Sequence, residues 1–191
     1  MIVPRLFVKT YLNSNTLYLS LDLNSEYGSC GKLMTESDEV ARMFEEIWPK
    51  LEEDLNAIKE EMVLRGYKVL TLRPLRVTLH QLKGRLGFLV VLGNEKAKEL
   101  LNVLKKGLHY TADMEFGLHK QLAVFVITLK FAAARQAVLY PVYYHTNLEW
   151  FIKDQGKQGL FTFFTTQGGN IIGEIYIGNY KTYLYSQYAK V

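Results

Sequence analysis

Polar and apolar residues alternate through much of the chain, which is the pattern of half-buried β-strands. The segment Arg5–Leu12 is rich in β-forming residues, and Thr16–Leu23 places four leucines on one face. The three residues between them, Asn-Ser-Asn, are typical of a turn. The pattern therefore predicts an N-terminal β-hairpin, followed by a loop over residues 24–35.

The same alternation predicts a second pair of strands in the middle of the chain. Tyr67–Gln81 is extended and interrupted at a proline, and a Lys-Gly-Arg turn separates it from Leu86–Leu92. The latter is almost wholly apolar, as expected of a strand in the interior of a sheet. Within the first segment, Arg76, Thr78 and His80 are predicted to share one face.

The second half of the chain predicts five more strands. Leu108–Phe116 and Lys120–Leu129 form a hairpin whose turn begins at Gly117. The C-terminal part then predicts a three-stranded meander, with strands over Gly159–Thr166, Asn170–Ile177 and Tyr180–Tyr188.

Helical spacing is strongest over Asp38–Arg65, where apolar residues recur in steps of four and three and form one stripe. Pro49 lies inside this segment and predicts a kink in a single helix rather than two helices. A second helix is expected over Glu95–Lys106. The alanines of Phe131–Leu139 favour a helical stretch, and Asn147 is a candidate cap for a short helix.

The order of these elements predicts the fold class. It reads ββα-ββα-ββ-α-βββ, so we expect an α+β fold with a mainly antiparallel sheet built from hairpins. One long kinked helix and one or two shorter helices would pack on that sheet. The order lacks the strict alternation of strand and helix that a parallel nucleotide-binding sheet requires. Residues 1–191 are predicted to form one domain.

Composition indicates the cellular compartment in which the protein is expected. The chain has 191 residues, of which 49% are hydrophobic, and a single cysteine, Cys30, which favours a reducing compartment. The N-terminus lacks the pattern of a signal peptide, and the longest apolar run is far shorter than a membrane-spanning helix. We therefore expect a cytoplasmic, intracellular protein that is not secreted and has no membrane partner.

Charge is divided unevenly along the chain. Residues 36–66 contain ten acidic and four basic residues, a net charge of −6, although the whole chain carries +4. Residues 67–110 contain nine basic and two acidic residues, a net charge of +7. A basic surface of this kind binds a polyanion because each neutralised phosphate releases counterions.

These observations predict a protein that binds DNA or RNA through a basic strand face and exposed tyrosines. Tyrosine rings near the C-terminus provide surfaces on which bases of single strands stack. The predicted nucleic-acid-binding residues are Arg73, Arg76, Lys83, Arg85, Lys105, Lys106, Lys181, Tyr183 and Tyr185.

Motifs for catalysis are weak, and the sequence favours a function that is not enzymatic. The four histidines and the cysteine show no HxxxH or CxxC spacing, and no nucleophile elbow is present. No catalytic residue, metal ligand or cofactor is assigned.

Two alternative functions remain. The first is a homo-oligomeric structural or adaptor protein, because the chain is rich in aromatic residues and aromatics are enriched at interfaces. The second is a metal-dependent nuclease in which Asp22 ends a strand and holds a divalent ion. The further carboxylates for that ion would come from Asp113, Glu115 and Glu149.

Overall fold

The computed structural model describes residues 8–11, 15–16, 38–82, 84–106, 109–156 and 159–178, which form an α+β fold with two sheets. The helices are α1 (Asp38–Leu64), α2 (Asn94–Leu104) and α3 (Glu149–Gln155). The strands are β1 (Val8–Tyr11), β2 (Asn15–Thr16), β3 (Lys68–Thr71), β4 (Arg76–Leu82), β5 (Arg85–Leu92), β6 (His109–His119), β7 (Leu122–Phe131), β8 (Gln136–His145), β9 (Leu160–Thr166) and β10 (Ile171–Gly178).

The larger sheet has six strands. Its order is β1-β6-β7-β8-β3, and β2 also pairs with β6. The pairs are antiparallel apart from β3 and β8, which run parallel. The two long hairpins, β6–β7 and β7–β8, form its centre, where almost every residue of β7 is buried. The hairpin β6–β7 was predicted, but its turn lies at Lys120 and Gln121 rather than at Gly117.

The smaller sheet has four strands in the order β10-β9-β5-β4. Strands β4 and β5 form an antiparallel hairpin, as do β9 and β10, and the two hairpins join through the parallel pair β5–β9. The apolar strand β5 is interior, as its sequence predicts. The prediction of one sheet is wrong: Pro74 separates the extended segment into β3 and β4, which belong to different sheets. Apolar patterns identify buried faces but not the partner strands, so they do not reveal this division.

The two sheets face each other across an aromatic core. The Tyr140 hydroxyl donates a hydrogen bond to Thr162 Oγ1 at 3.1 Å, and the Tyr140 ring meets Phe164 edge-on at 4.9 Å. The Tyr110 hydroxyl donates to the carbonyl of Tyr176 at 2.8 Å. Burial raises the pKa of both phenols above the usual value, so each remains a hydrogen-bond donor. These bonds join the larger sheet to β9 and β10.

Helix α1 covers the opposite face of the larger sheet, over β3, β7 and β8. Its predicted apolar stripe is buried there; Phe44 stacks on Tyr143 with ring centroids 4.1 Å apart, and Leu51 and Leu55 are almost wholly buried. The helix continues through Pro49. Helix α2 packs against β9 and β10, where a side chain at Gly173 would come within 2.6 Å of Leu104. Of the described residues, no helix is both long and apolar enough to cross a membrane.

The predicted N-terminal hairpin is wrong within the described residues. Strands β1 and β2 do not pair with each other; both pair antiparallel with β6, and the chain continues in one direction from Tyr11, opposite Asp113, to Asn15, opposite Tyr110. The predicted turn residues Asn13 and Ser14, and most of the second predicted strand, lie outside the described residues.

The predicted helical stretch over Phe131–Leu139 is also wrong. Only Ala132–Ala134 forms a single 3₁₀ turn, and the chain then enters β8, between β7 and β3. Pro141 lies inside this strand, although prolines disrupt sheets. The Leu139 carbonyl accepts a hydrogen bond from the Leu72 backbone just beyond β3. The Pro141 nitrogen faces the side of β8 that carries the Leu139 carbonyl. Because β3 pairs with β8 only as far as Leu139, no hydrogen bond of that pairing is lost when proline supplies no N–H group. The third strand of the predicted C-terminal meander lies outside the described residues.

Candidate nucleic-acid interface

The predicted binding residues that the structure describes lie on three different surfaces. Arg73 lies beside the acidic helix α1, where its guanidinium donates to both carboxylate oxygens of Glu45 at 2.7 and 3.0 Å. The same group lies 4.4 Å from the centroid of the Trp48 ring. Arg73 therefore has its charge compensated by α1.

Arg76 and Arg85 lie on one face of the hairpin β4–β5, the face turned away from the larger sheet. We call this the outer face. Arg76 begins β4 and pairs with Val91, whereas Arg85 begins β5 and pairs with Leu82, so they mark opposite ends of the hairpin. About six residues, or roughly 20 Å, separate those ends. Arg85 forms an ion pair with Glu174. Arg76 is exposed and forms no ion pair within the described ranges.

The remaining predicted residues lie elsewhere. Lys105 and Lys106 follow α2 and are exposed at its C-terminal end, beside a different cleft from the outer face. Lys83, Lys181, Tyr183 and Tyr185 lie outside the described residues. Of the predicted residues that the structure describes, Arg76 and Arg85 share one face of the sheet, at opposite ends of the hairpin.

A row of polar side chains crosses the outer face along β4. Arg76, Thr78 and His80 occupy alternate positions, so they share this face. Thr78 Oγ1 and His80 Nδ1 are both buried and have no hydrogen-bond partner in the part of the chain that the structure describes. Burial also lowers the pKa of the His80 imidazole, which favours its neutral form. A buried polar atom without a partner costs about 1–3 kcal/mol, so these two positions are unfavourable for stability unless they gain a hydrogen bond.

The row borders a shallow groove of about 210 Å³ on the outer face. Arg76 and His80 form one side, and the β9–β10 turn with Thr165 and Thr166 forms the other. Apolar side chains lie between them, from Leu89, Val91 and Ile171. The groove therefore combines a guanidinium that has no ion-pair partner among the described residues, the imidazole of His80 and an apolar floor.

Three aromatic residues lie on the outer face at the other end of the sheet, and one of them, Phe163, is buried. Phe161 of β9 is paired with Tyr176 of β10; their rings meet edge-on at 5.2 Å, and both are partly exposed. The Arg85 guanidinium lies 5.4 Å from the centroid of the Phe161 ring. The sequence prediction assigned stacking to later tyrosines. The alternation within Leu160–Thr166 is the signal that places Phe161 opposite the core residue Thr162.

Of the carboxylates proposed for a nuclease, Asp113 and Glu115 lie away from the outer face. Asp113 and Glu115 are buried on the α1 side of β6, and Asp113 is 2.5 Å from Lys130 Nζ. Glu149 begins α3, and Asp22 lies outside the described residues. Among residues 38–82, 84–106, 109–156 and 159–178, no three His, Cys, Asp or Glu side chains are close enough to hold a metal ion.

Comparison of the chain with protein-family models, with curated protein sequences and with solved structures finds no match.

Proposed function

We propose that the protein binds single-stranded nucleic acid, DNA or RNA, on the outer face of the four-stranded sheet. The single observation that carries this proposal is the composition of that face. Arg76, which has no ion-pair partner among the described residues, and His80 lie along β4, and partly exposed aromatic rings lie on β9 and β10. A single strand offers a phosphate, a base edge and a base face, and each of these has a partner here.

Arg76 is the phosphate-binding residue in this proposal. It is exposed and has no ion-pair partner among the described residues, so binding a phosphate breaks no existing bridge. Arg85 differs, because Glu174 already compensates its charge. The guanidinium of Arg85 lies beside the Phe161 ring, on which a base would stack, and forms a cation–π contact with that ring.

His80, which lines the groove, is the candidate for a hydrogen bond to a base edge. A neutral imidazole both donates and accepts, so it is tolerant of base identity. The apolar floor formed by Leu89, Val91 and Ile171 suits the flat face of a base. We therefore expect weak sequence preference and strong dependence on salt.

Replacing Arg76 by alanine is expected to weaken oligonucleotide binding. Because one phosphate contact is lost, affinity at about 50 mM salt should fall about tenfold, and the slope of log affinity against log salt should decrease by about 1. Fluorescence anisotropy with labelled oligo-dT and oligo-U of about 12 nucleotides measures both quantities.

Lys50→Ala is the matched control, because Lys50 is an exposed base on α1, on the far side of the larger sheet. Its affinity and salt slope should equal those of the unmodified protein. Equal weakening by Lys50→Ala and Arg76→Ala would indicate diffuse attraction by net charge and would contradict the assigned face. Absence of binding at low salt would remove the proposed function.

A further inference from the structure

A second cleft lies between α2 and the parallel strands β3 and β8, and it shares no lining residue with the outer-face groove. Its volume of about 340 Å³ falls within the range of small-molecule sites. Lys68 and Leu70 of β3 and Gln136 of β8 form one wall. The other wall comes from α2 and the residues just after it. The cleft is thus formed by three elements that are distant in sequence.

The charge of this cleft is positive. Lys68 lines it from β3 and Lys106 lines it from the end of α2, and both are exposed. Glu99 is the one acidic residue among the described residues of the lining, and Lys96 already binds its carboxylate at 2.9 and 3.1 Å. A base near the C-terminus of a helix stabilises the helix dipole, which accounts for Lys106 but not for Lys68 on the facing strand.

The wall of the cleft also contains an unsatisfied acceptor. Gln136 Oε1 is buried and has no hydrogen-bond partner among the described residues. Its neighbours in the lining include Leu70 and Val103, which are partly buried and apolar, and the exposed amide of Asn102. A ligand that fits must therefore combine an anionic group, a hydrogen-bond donor and some apolar surface.

We propose that this cleft binds a small phosphorylated molecule of the sugar-phosphate or mononucleotide class. The phosphate lies between the ammonium groups of Lys68 and Lys106, and a ligand hydroxyl donates to Gln136 Oε1. A phosphate suits two facing lysines better than a carboxylate does, since it carries more charge and more acceptor oxygens. The inference is independent of the proposed nucleic-acid function.

The test is a titration of the ¹⁵N-labelled full chain with ribose 5-phosphate, inorganic phosphate and ribose, followed by NMR. Ribose 5-phosphate should shift the Gln136 side-chain amide and the backbone signals of β3 and the end of α2, and the shifts should saturate. Inorganic phosphate should bind about tenfold more weakly, because it cannot satisfy the buried acceptor through a sugar hydroxyl. Ribose alone should cause no shift.

Variants separate the two interactions. The double variant that combines Lys68→Ala and Lys106→Ala should bind ribose 5-phosphate at least about tenfold more weakly. Gln136→Leu should reduce the preference for ribose 5-phosphate over inorganic phosphate. Lys98→Ala, which removes an exposed lysine elsewhere on α2, should change neither, and Arg76→Ala should leave the shifts intact even if oligonucleotide binding is lost.

Three results would overturn the inference. The first is a set of shifts that do not saturate at millimolar ribose 5-phosphate or that scatter over the exposed lysines. The second is equal binding of ribose 5-phosphate and inorganic phosphate, which would leave Gln136 without a role. The third is a response of these signals to oligonucleotide but not to ribose 5-phosphate, which would place a nucleic-acid backbone in the cleft.

Discussion

Replacing Lys130 by methionine is expected to lower the free energy of unfolding by about 3–5 kcal/mol. Lys130 Nζ lies 2.5 Å from Asp113 Oδ2 on the α1 side of the larger sheet, and the two side chains are only 17% and 7% exposed. Methionine preserves the length of the side chain but removes the ammonium group. The Asp113 carboxylate would then remain buried without its cation, and its desolvation would no longer be offset.

Urea denaturation measures the free energy of unfolding of the single variant and of a double variant. The comparison separates the effect of the lost charge from the effect of altered packing. The double variant Lys130→Met, Asp113→Leu removes both charges and should recover most of the lost stability, since buried pairs are often replaceable by apolar residues. A single Lys130→Met variant within about 1 kcal/mol of the unmodified protein would show that the pair behaves as a solvent-exposed bridge.

The substitutions Phe161→Leu and Tyr176→Leu, made together, should weaken single-stranded oligonucleotide binding by about 2 kcal/mol or more, roughly 30-fold in affinity. Leucine retains apolar bulk on the outer face but removes the flat rings on which bases stack. Arg85 would also lose its cation–π contact with Phe161. The measurement is fluorescence anisotropy at fixed salt, with urea denaturation of the same samples.

Phe116→Leu is the matched control for this pair, because Phe116 is a partly buried phenylalanine on β6 of the other sheet. It should leave the affinity unchanged. Full affinity in the double variant would exclude base stacking on these rings, even if charge contacts persisted. A loss of affinity accompanied by unfolding would be recognised from the denaturation curves, and Phe161→Leu alone would then provide the comparison.

Local patterns predicted the elements that depend on neighbouring residues. The apolar stripe of α1 could be predicted because steps of four and three residues define one helix face, whichever element packs against that face. The hairpin β4–β5 was predicted because a glycine in a short turn marks the end of a strand. In the structure Gly84 adopts a positive φ of 76°, a conformation that glycine tolerates. The strand β8 was missed because Phe131–Leu139 contains alanines, and helix propensity is overridden when a chain lies between two paired strands.

The candidate site was only partly predictable, for a similar reason. Alternation along β4 predicts that Arg76, Thr78 and His80 share one face, because this pattern depends only on neighbouring residues. The ion pairs of Arg73 with Glu45 and of Arg85 with Glu174 join residues 28 and 89 positions apart. No local pattern reports such pairs, so counts of basic residues overestimate the charge that remains free for a ligand.

Photo-crosslinking tests the central claim, that the outer face of the four-stranded sheet binds single-stranded nucleic acid. The protein is irradiated with oligonucleotides that contain 4-thiouridine or 5-iodouracil, and the attached peptides are identified by mass spectrometry. Crosslinks should fall on Phe161 and Tyr176 and on peptides of β4, and Arg76→Ala should reduce their yield. Crosslinks confined to α1, or to the cleft around Lys68 and Lys106, would contradict the claim.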